Sequence, residues 1–300
     1  MSDSNQADQL NTVSLTRPLW ERLLAVARAS VKTRRALIGS AIVTVMIIGA
    51  LFSPWLAPMD PNEQDIVHRF ADPSPKHWLG TDYLGRDLLS RIIYGCRISV
   101  IVAFGSVTIS SIIGVALGVL GGYAEGGKLD YAIILIFDVV RSFPQVILAL
   151  AIVAVLGPSL FNVVIALAFT AFPFYGRVAR AQTLSVKESD FVKSAESVGL
   201  QRWKIVFRHI TPNILAPVIV CMGLDMATMI IWESGLSFLG LGVRPPTASW
   251  GTMLRNGYKY IEIAPWMIVG PALAISLAMI GFSLFSEGLR NALDPKERDR

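Results

Sequence analysis

Three charged side chains, Asp138, Arg141 and Asp225, stand inside long apolar stretches of this 300-residue chain. A charged group at the centre of a membrane helix costs about 2.5–3.5 kcal/mol on insertion scales, so such groups face the protein interior or pair with one another. Asp138 and Arg141 are one helical turn apart and can form an ion pair. Two uses remain open for the three residues: pairing between helices, or lining a path for a polar solute.

Other patterns that carry chemistry are incomplete in this sequence. Residues 122–128 come close to a phosphate-binding loop, but Leu129 stands where a Ser or Thr would hold Mg²⁺. The histidines His68, His77 and His209 lack metal-ligand spacing. No nucleophile motif of a hydrolase is present. We therefore predict no catalytic residue and no metal site, and expect that the chain is not an enzyme.

The composition predicts an integral membrane protein. Hydrophobic residues make up 53% of the chain, charged residues only 16%, and the mean hydropathy is +0.54. Soluble domains carry about 25% charged residues. The net charge of +5 is typical of cytoplasmic loop bias in a membrane protein, so we predict no nucleic-acid partner. Cys96 and Cys221 form neither a disulfide framework nor a metal knuckle.

Six apolar runs are long enough to cross a bilayer core, which needs about 20 helical residues. They lie at 36–59, 98–124, 131–156, 160–178, 213–234 and 263–286. Pro144 predicts a kink in the third run, and Gly157-Pro158 separates the third from the fourth. In the second run, glycines recur at every fourth position, Gly114, Gly118 and Gly122, which permits close helix packing. We predict an all-α integral membrane protein with six transmembrane helices.

The distribution of Lys and Arg predicts the orientation of these helices. With the N-terminus inside, 18 of the 27 Lys and Arg residues lie on the cytoplasmic side and 8 outside. This division satisfies the positive-inside rule, so both termini are predicted to be cytoplasmic. The tails comprise residues 1–35 and 288–300. Residues 18–29 are mildly amphipathic, a pattern typical of a helix that lies on membrane lipid.

The cytoplasmic loop 181–212 predicts a helix–Gly–helix hairpin. A capping box, Ser185–Glu188, would begin the first helix, Gly199 would end it, and Pro212 would end the second. The apolar stripes are Phe191, Ala195 and Val198 on the first helix, and Leu200, Trp203, Phe207 and Ile210 on the second. Periodicity alone fits a lipid surface and a protein partner equally well.

Two segments outside the membrane complete the pattern. Leu84, Leu88, Leu89, Ile92 and Ile93 form one helical face. This face predicts an interfacial helix that leads into the second span, with a ligand-contacting segment as the alternative. In the loop 236–251, Gly and Pro-Pro exclude a continuous helix.

Three motifs carry a resemblance to a known family. They are Leu79-Gly-Thr-Asp-Tyr-Leu-Gly-Arg-Asp-Leu-Leu-Ser-Arg-Ile-Ile-Tyr-Gly-Cys-Arg-Ile-Ser99, Leu236-Ser-Phe-Leu-Gly-Leu-Gly242 with Pro245-Pro246 and Ser249-Trp-Gly251, and Gly288-Leu-Arg-Asn-Ala-Leu-Asp-Pro295. From about residue 35 onward the chain resembles the membrane-spanning subunit of an ATP-binding-cassette importer. More narrowly, it resembles the C-type permease subunit of dipeptide and oligopeptide importers.

The resemblance extends to the cytoplasmic loop, which in the family carries a Glu-Ala-Ala triplet, a Gly and a Pro at fixed spacing. Ala195, Gly199 and Pro212 keep that spacing, while Lys193 and Ser194 stand in place of the Glu and the first Ala. The loop that the resemblance assigns to coupling with an ATPase therefore includes Lys193, Ser194, Ala195, Gly199, Trp203 and Pro212.

The resemblance also implies a fold, a location and partners. The fold is that of a type I importer permease in the inner membrane, with a first helix and outer loop at 36–96 and a core of five helices at 97–287. The implied partners are a homologous second permease subunit, two ATP-binding subunits, which would hold ATP and Mg²⁺, and an external substrate-binding protein. The chain itself would bind no cofactor. The alternative from a different class is a secondary transporter or channel that works alone.

Overall fold

The computed structural model describes residues 33–293, and within that range the regular elements are helices. They are α1 Arg34–Leu56, α2 Leu88–Tyr123, α3 Lys128–Arg141, α4 Gln145–Leu156, α5 Leu160–Lys187, α6 Asp190–Ser197, α7 Arg202–Ile205, α8 Thr211–Phe238, α9 Trp250–Lys259 and α10 Trp266–Leu293. The predicted lipid-surface segment 18–29 lies outside the described residues.

Five of the described helical stretches are long and apolar enough to cross a membrane, and the count rises to six if the pair α3 and α4 forms one span. The all-helical membrane architecture is therefore confirmed. The bend predicted at Pro144 in the third run is confirmed, and it is a full break, because α3 and α4 are separate helices that meet at 85°. Pro144 lacks an N–H and disfavours helical backbone at Phe143, so the helix ends at Arg141 and restarts at Gln145.

Helices α2 and α5 pack closely against each other along their length. A Cβ added to Gly118 would lie 2.2 Å from the carbonyl oxygen of Gly176, which leaves room only for hydrogen. The contacts advance together along both helices: Gly114 meets Phe172, Gly118 meets Gly176, and Gly122 meets Thr183. The two helices are therefore parallel, and the glycine repeat makes the close approach that its spacing predicts.

The first and last helices pack antiparallel. Gly39 of α1 lies against Leu284 of α10, while Ile42 lies against Gly281. The start of α1 and the end of α10 are consequently at the same end of the bundle, and Arg35 and Glu287 approach within 3.4 Å there. We name this the inner end, after the orientation that the sequence predicts, and the opposite end the outer end.

The segment before α2 is a compact turn built around a buried carboxylate. Asp82 accepts hydrogen bonds from the backbone N–H groups of Leu84 and Arg86 and pairs with the Arg86 guanidinium, whose Nη2 lies 2.6 Å from Oδ2. Arg91 lies 3.9 Å from the same oxygen and donates to the carbonyl of Pro61 at 2.8 Å. The charges of all three groups are buried, and each is compensated by a neighbour.

A second buried carboxylate begins α2. Asp87 accepts a hydrogen bond from the backbone N–H of Ser90, as an N-cap does, and its other oxygen lies 3.0 Å from Nδ1 of His77. The predicted helical face that includes Leu84 is therefore wrong at its start, because α2 begins at Leu88. Residues 79–87 fold back instead: Gly85 has φ +74°, and a Cβ there would overlap the carbonyl of Asp65.

The outer end of α8 also turns sharply, as the glycines predict. The helix ends at Phe238, and α9 begins after a capping box between Ser249 and Thr252. Trp250 then packs on Gly95 of α2 and donates its indole N–H to the carbonyl of Ile92 at 2.9 Å. This contact ties the outer turn to α2.

We expect Gly118→Leu to separate α2 from α5, because overpacking of a tight contact costs about 1–3 kcal/mol. Thermal unfolding in detergent should show the apparent Tm lower by about 2–5 °C, since each kcal/mol shifts a chain of about 150–250 residues by about 2–4 °C and a longer chain by less. Gly235→Ala is the matched control: it is also helical, but nothing lies within 4 Å of its added Cβ. Equal Tm values for the two variants would contradict the close contact.

We expect Asp82→Asn to destabilise the outer turn strongly. The change leaves the buried guanidinium groups of Arg86 and Arg91 without a carboxylate, and breaking a buried pair costs about 3–5 kcal/mol. The control is Asp65→Asn, which removes an exposed carboxylate paired with His68 at 2.7 Å and should leave the Tm unchanged. A Tm of Asp82→Asn equal to that of the control would show that the buried network contributes nothing.

Candidate functional site

The inner end of the bundle carries a hairpin, residues 188–210, that projects from α5 and leads into α8. Its inward side is anchored by apolar contacts. These contacts join Val192, Ala195, Ile205 and Ile210 of the hairpin to Val119, Ala179 and Ile214 of the long helices. Beside this seam, a cavity of about 430 Å³ opens next to Tyr123, Lys187, Glu196 and Arg202. The hairpin is therefore attached to the spans mainly along one apolar line.

Gly199 forms the corner of the hairpin, as its position in the sequence predicts. It has φ +78°, its N–H donates to Glu196, and the N–H of Leu200 donates to Ala195. This pair of bonds is the Schellman motif, which requires left-handed backbone at the residue after the helix. Nothing lies within 4 Å of an added Cβ, so the requirement for glycine here is conformational and not steric.

The outward side of the hairpin exposes large apolar side chains. Trp203 is 59% and Phe207 70% exposed, and Phe191 and Val198 are also exposed. Of the predicted first stripe, only Ala195 faces inward, beside Val192. The apolar residues of the hairpin therefore lie on two sides, one packed against the long helices and one exposed, which we call the free side.

Charged groups surround this free side. Lys193 pairs with Glu188 at 2.9 Å, and both side chains are exposed. The ammonium of Lys193 lowers the pKa of the Glu188 carboxyl, and that carboxylate raises the pKa of Lys193. Lys204 lies over the ring of Trp203, whose indole N–H donates to Gln201. Ser194 is exposed as well.

Two boundaries predicted for the hairpin are wrong. Ser185 lies in the last turn of α5 and begins no helix, because α6 starts at Asp190. Pro212 does not end the second helix: residues 202–238 run on without a break. A π-helical turn at 206–210 precedes the proline, and this wider turn accommodates a ring that would clash with the carbonyl four residues earlier.

The continuous helix links the hairpin to the membrane interior. Asn213 donates its side-chain amide to the carbonyl of His209 at 2.6 Å, which satisfies a carbonyl beside the proline. Further along, Asp225 accepts a hydrogen bond from the hydroxyl of Tyr175 on α5 at 2.9 Å. Asp225 therefore joins two helices, and a role in a solute path stays a prediction.

The predicted ion pair between Asp138 and Arg141 is wrong. Asp138 instead pairs with Arg177 of α5, with Oδ1 and Nη2 separated by 2.6 Å. Arg141 is exposed at the end of α3. A charged residue on a helix can pair with a residue one turn away or with a residue of a neighbouring helix. Here Asp138 pairs with Arg177 of the neighbouring helix α5.

Sequence reasoning missed two further polar groups. Asp130 and Arg180 form a pair of hydrogen bonds, at 2.7 and 2.8 Å, between the inner ends of α3 and α5. Glu233 is 1% exposed within α8 and accepts a hydrogen bond from Ser237 at 2.6 Å. The criterion that singles out Asp225, a carboxylate inside an apolar run, applies equally to Glu233. The Asp130 pairing has no comparable signal, because its partner is 50 positions away.

Together these features define a polytopic helical membrane protein with an amphipathic hairpin at the inner end of the bundle. The family model for the binding-protein-dependent transport system inner membrane component matches residues 88–299, and that for the N-terminal TM domain of oligopeptide transport permease C matches residues 26–73. The chain therefore belongs to the family of inner membrane components of binding-protein-dependent transport systems.

Curated relatives match over nearly the whole chain. The dipeptide transport system permease protein DppC of Alkalihalophilus pseudofirmus is 41% identical, over 96% of this chain and 92% of its own length. The glutathione transport system permease protein GsiD of Pectobacterium atrosepticum is 39% identical, over 93% and 91%. Among solved structures, an inward-facing form of the MetNI methionine ABC transporter gives a TM-score of 0.58 at 17% identity, covering 69% of this chain and 98% of that chain. At that identity the likeness is one of fold.

We expect Gly199→Ala to loosen the hairpin, because an alanine with positive φ costs about 1–2 kcal/mol. Hydrogen exchange of residues 190–205 should accelerate by about 5–30-fold, the factor that corresponds to such a change. Gly126→Ala provides the same backbone strain in the turn before α3, with φ +73° and nothing near its Cβ, and should leave the hairpin unchanged. Unaltered exchange in Gly199→Ala would contradict the role of this turn.

Proposed function

We propose that this chain is one of two homologous membrane subunits of an importer that carries dipeptides or similar small peptides across the inner membrane, and that ATP-hydrolysing partner chains drive it. The similar curated proteins are named as permeases of dipeptide and glutathione transport systems. These names support small peptides as the cargo. The observation that carries the coupling role is the set of exposed apolar side chains on the hairpin, which includes Trp203 and Phe207.

The proposed complex has this chain, a second permease subunit, two ATP-binding subunits and an external substrate-binding protein, all held at a lipid bilayer. ATP and Mg²⁺ would be bound by the partner ATPases, and this chain would bind no cofactor and perform no catalysis. Both termini would be cytoplasmic. The positive-inside distribution supports this orientation, as does the shared position of the start of α1 and the end of α10.

In the proposed mechanism, the hairpin receives the movement of the ATPases. Large aromatic side chains in a docking surface provide much of its binding energy, and Trp203 and Phe207 are free to provide it. Because residues 202–238 form one helix, a displacement of the hairpin would move α8 together with Asp225 and the outer turn. ATP and cargo would each favour a different state of the assembly, which couples hydrolysis to alternating access.

Cross-linking tests the docking surface directly. In the full complex, with Cys96 and Cys221 replaced by Ser, Val198→Cys should form cross-links with an ATPase subunit, because Val198 is 83% exposed on the same free side and the change leaves Trp203 in place. The matched control is Tyr258→Cys, which is also exposed but lies at the outer end of the bundle and should form none. If position 198 never cross-links to an ATPase while the complex transports its cargo, the coupling role is wrong.

A transport assay tests the same surface by its energetics. We expect Trp203→Ala to weaken ATPase association by about 30-fold, since loss of an aromatic hot spot costs about 2 kcal/mol or more, and ATP-dependent dipeptide uptake into proteoliposomes should fall with it. Trp55→Ala is the control, because Trp55 is also exposed but ends α1 on the outer side. Uptake by the purified chain alone, without ATP or partners, would instead establish a transporter that works by itself.

A further inference from the structure

An exposed group of charges lies within the predicted spans 131–156 and 160–178, on the face shared by α3 and α5. Asp138 is 56% and Arg177 50% exposed in the subunit. At a rise of 1.5 Å per residue, Asp138 is about 15 Å along α3 from its inner end, and Arg177 is about 4.5 Å along α5 from Arg180, toward the outer end. Arg141 is on the same face of α3, three residues after Asp138. It is exposed and forms no ion pair in the part of the chain that the structure describes.

This face cannot be in contact with lipid tails. Charged side chains at this depth face protein or a water-filled cavity, because insertion into hydrocarbon is costly. The non-helical residues 142–144 adjoin Arg141, and Ser142 and Phe143 are exposed. Irregular backbone at membrane depth is tolerated only where protein buries it or where it lines water. The two observations coincide on one surface and indicate an aqueous or protein-covered environment.

The charge of this group is unbalanced. Asp138 neutralises one guanidinium, that of Arg177, while the guanidinium of Arg141 remains for an anion. We propose that Arg141, beside the Asp138–Arg177 pair, binds the free carboxylate of a peptide as it passes through the importer. The inference rests on the proposed function for its cargo. Dipeptides, tripeptides and glutathione share a free α-carboxylate, so one cation in the path would serve all of them, and a guanidinium binds a carboxylate with two parallel hydrogen bonds.

A thiol next to Arg141 tests the environment without any transport. In the full complex with Cys96 and Cys221 replaced by Ser, Ser142→Cys would be treated with an anionic sulfonate and a cationic trimethylammonium methanethiosulfonate. Relative to a free thiol, the anionic reagent should react about threefold faster and the cationic one about threefold slower, as one unit charge at about 7 Å in water predicts. Arg141→Gln should abolish this preference, and Arg141→Lys should retain it.

Ser197→Cys is the matched control. Both serines are exposed, and both donate their hydroxyl to a carbonyl one turn earlier, Val139 for Ser142 and Lys193 for Ser197. Substitution of Arg141 should leave the reactivity at position 197 unchanged. Two results would overturn the proposal: a reagent preference at position 142 that does not depend on Arg141, or no modification by either reagent in any nucleotide state. The second would show that another protein surface covers this face.

The same labelling experiment in the presence of a dipeptide then identifies the ligand. A saturating dipeptide, supplied with the binding protein and ATP, should slow anionic modification at position 142 by at least about threefold in the presence of Arg141, but not in Arg141→Gln. Equal protection in both would overturn the carboxylate assignment. A complex that transports dipeptides normally yet shows no effect of Arg141 contradicts only this inference. A complex that takes up no dipeptide while position 142 keeps its anion preference contradicts only the proposed cargo.

Discussion

The contact between α2 and α5 holds the working parts of this protein in place. Lipid tails provide no hydrophobic drive for helices to associate, so close packing of small residues has to do so. Gly118 lets the backbone at Gly176 approach to a distance that no side chain permits. Along the same helix α5, Tyr175, Arg177 and Arg180 reach Asp225, Asp138 and Asp130. A shift of α5 would therefore disturb three polar pairs together.

Each of those pairs obeys the same constraint, that a charge removed from water needs a partner. The constraint is met differently at different depths. In the outer turn, Asp82 is buried and engages Arg86 and Arg91, so its role is to hold the turn against α2. Within the predicted spans, Asp138 and Arg177 are paired yet half exposed. Exposure of such a pair to lipid tails is costly, so that face requires protein or water against it.

The hairpin is joined to the bundle through α8. The hairpin is anchored by buried residues such as Val192 and Ile205 and is otherwise free. The π-helical turn at 206–210 allows the helix to pass Pro212 without breaking. A continuous helix transmits a displacement better than two helices joined by a loop. Pro212, which the sequence predicts to end a helix, lies within this continuous helix.

Local features of the chain could be predicted from the sequence by itself. The apolar runs, the glycine repeat of α2 and the turn at Gly199 follow from hydropathy, residue size and backbone preference, which need no knowledge of distant residues. The partners of Asp138 and Asp82, the 85° bend between α3 and α4, and the continuation of the helix through Pro212 were decided only by the tertiary structure. A charged group pairs with an opposite charge that is near it in space. A proline either breaks a helix or only widens one turn, and the outcome depends on whether the surrounding packing satisfies the freed carbonyls. Neither the distance between residues far apart in the sequence nor the packing around a proline can be read from the residue itself.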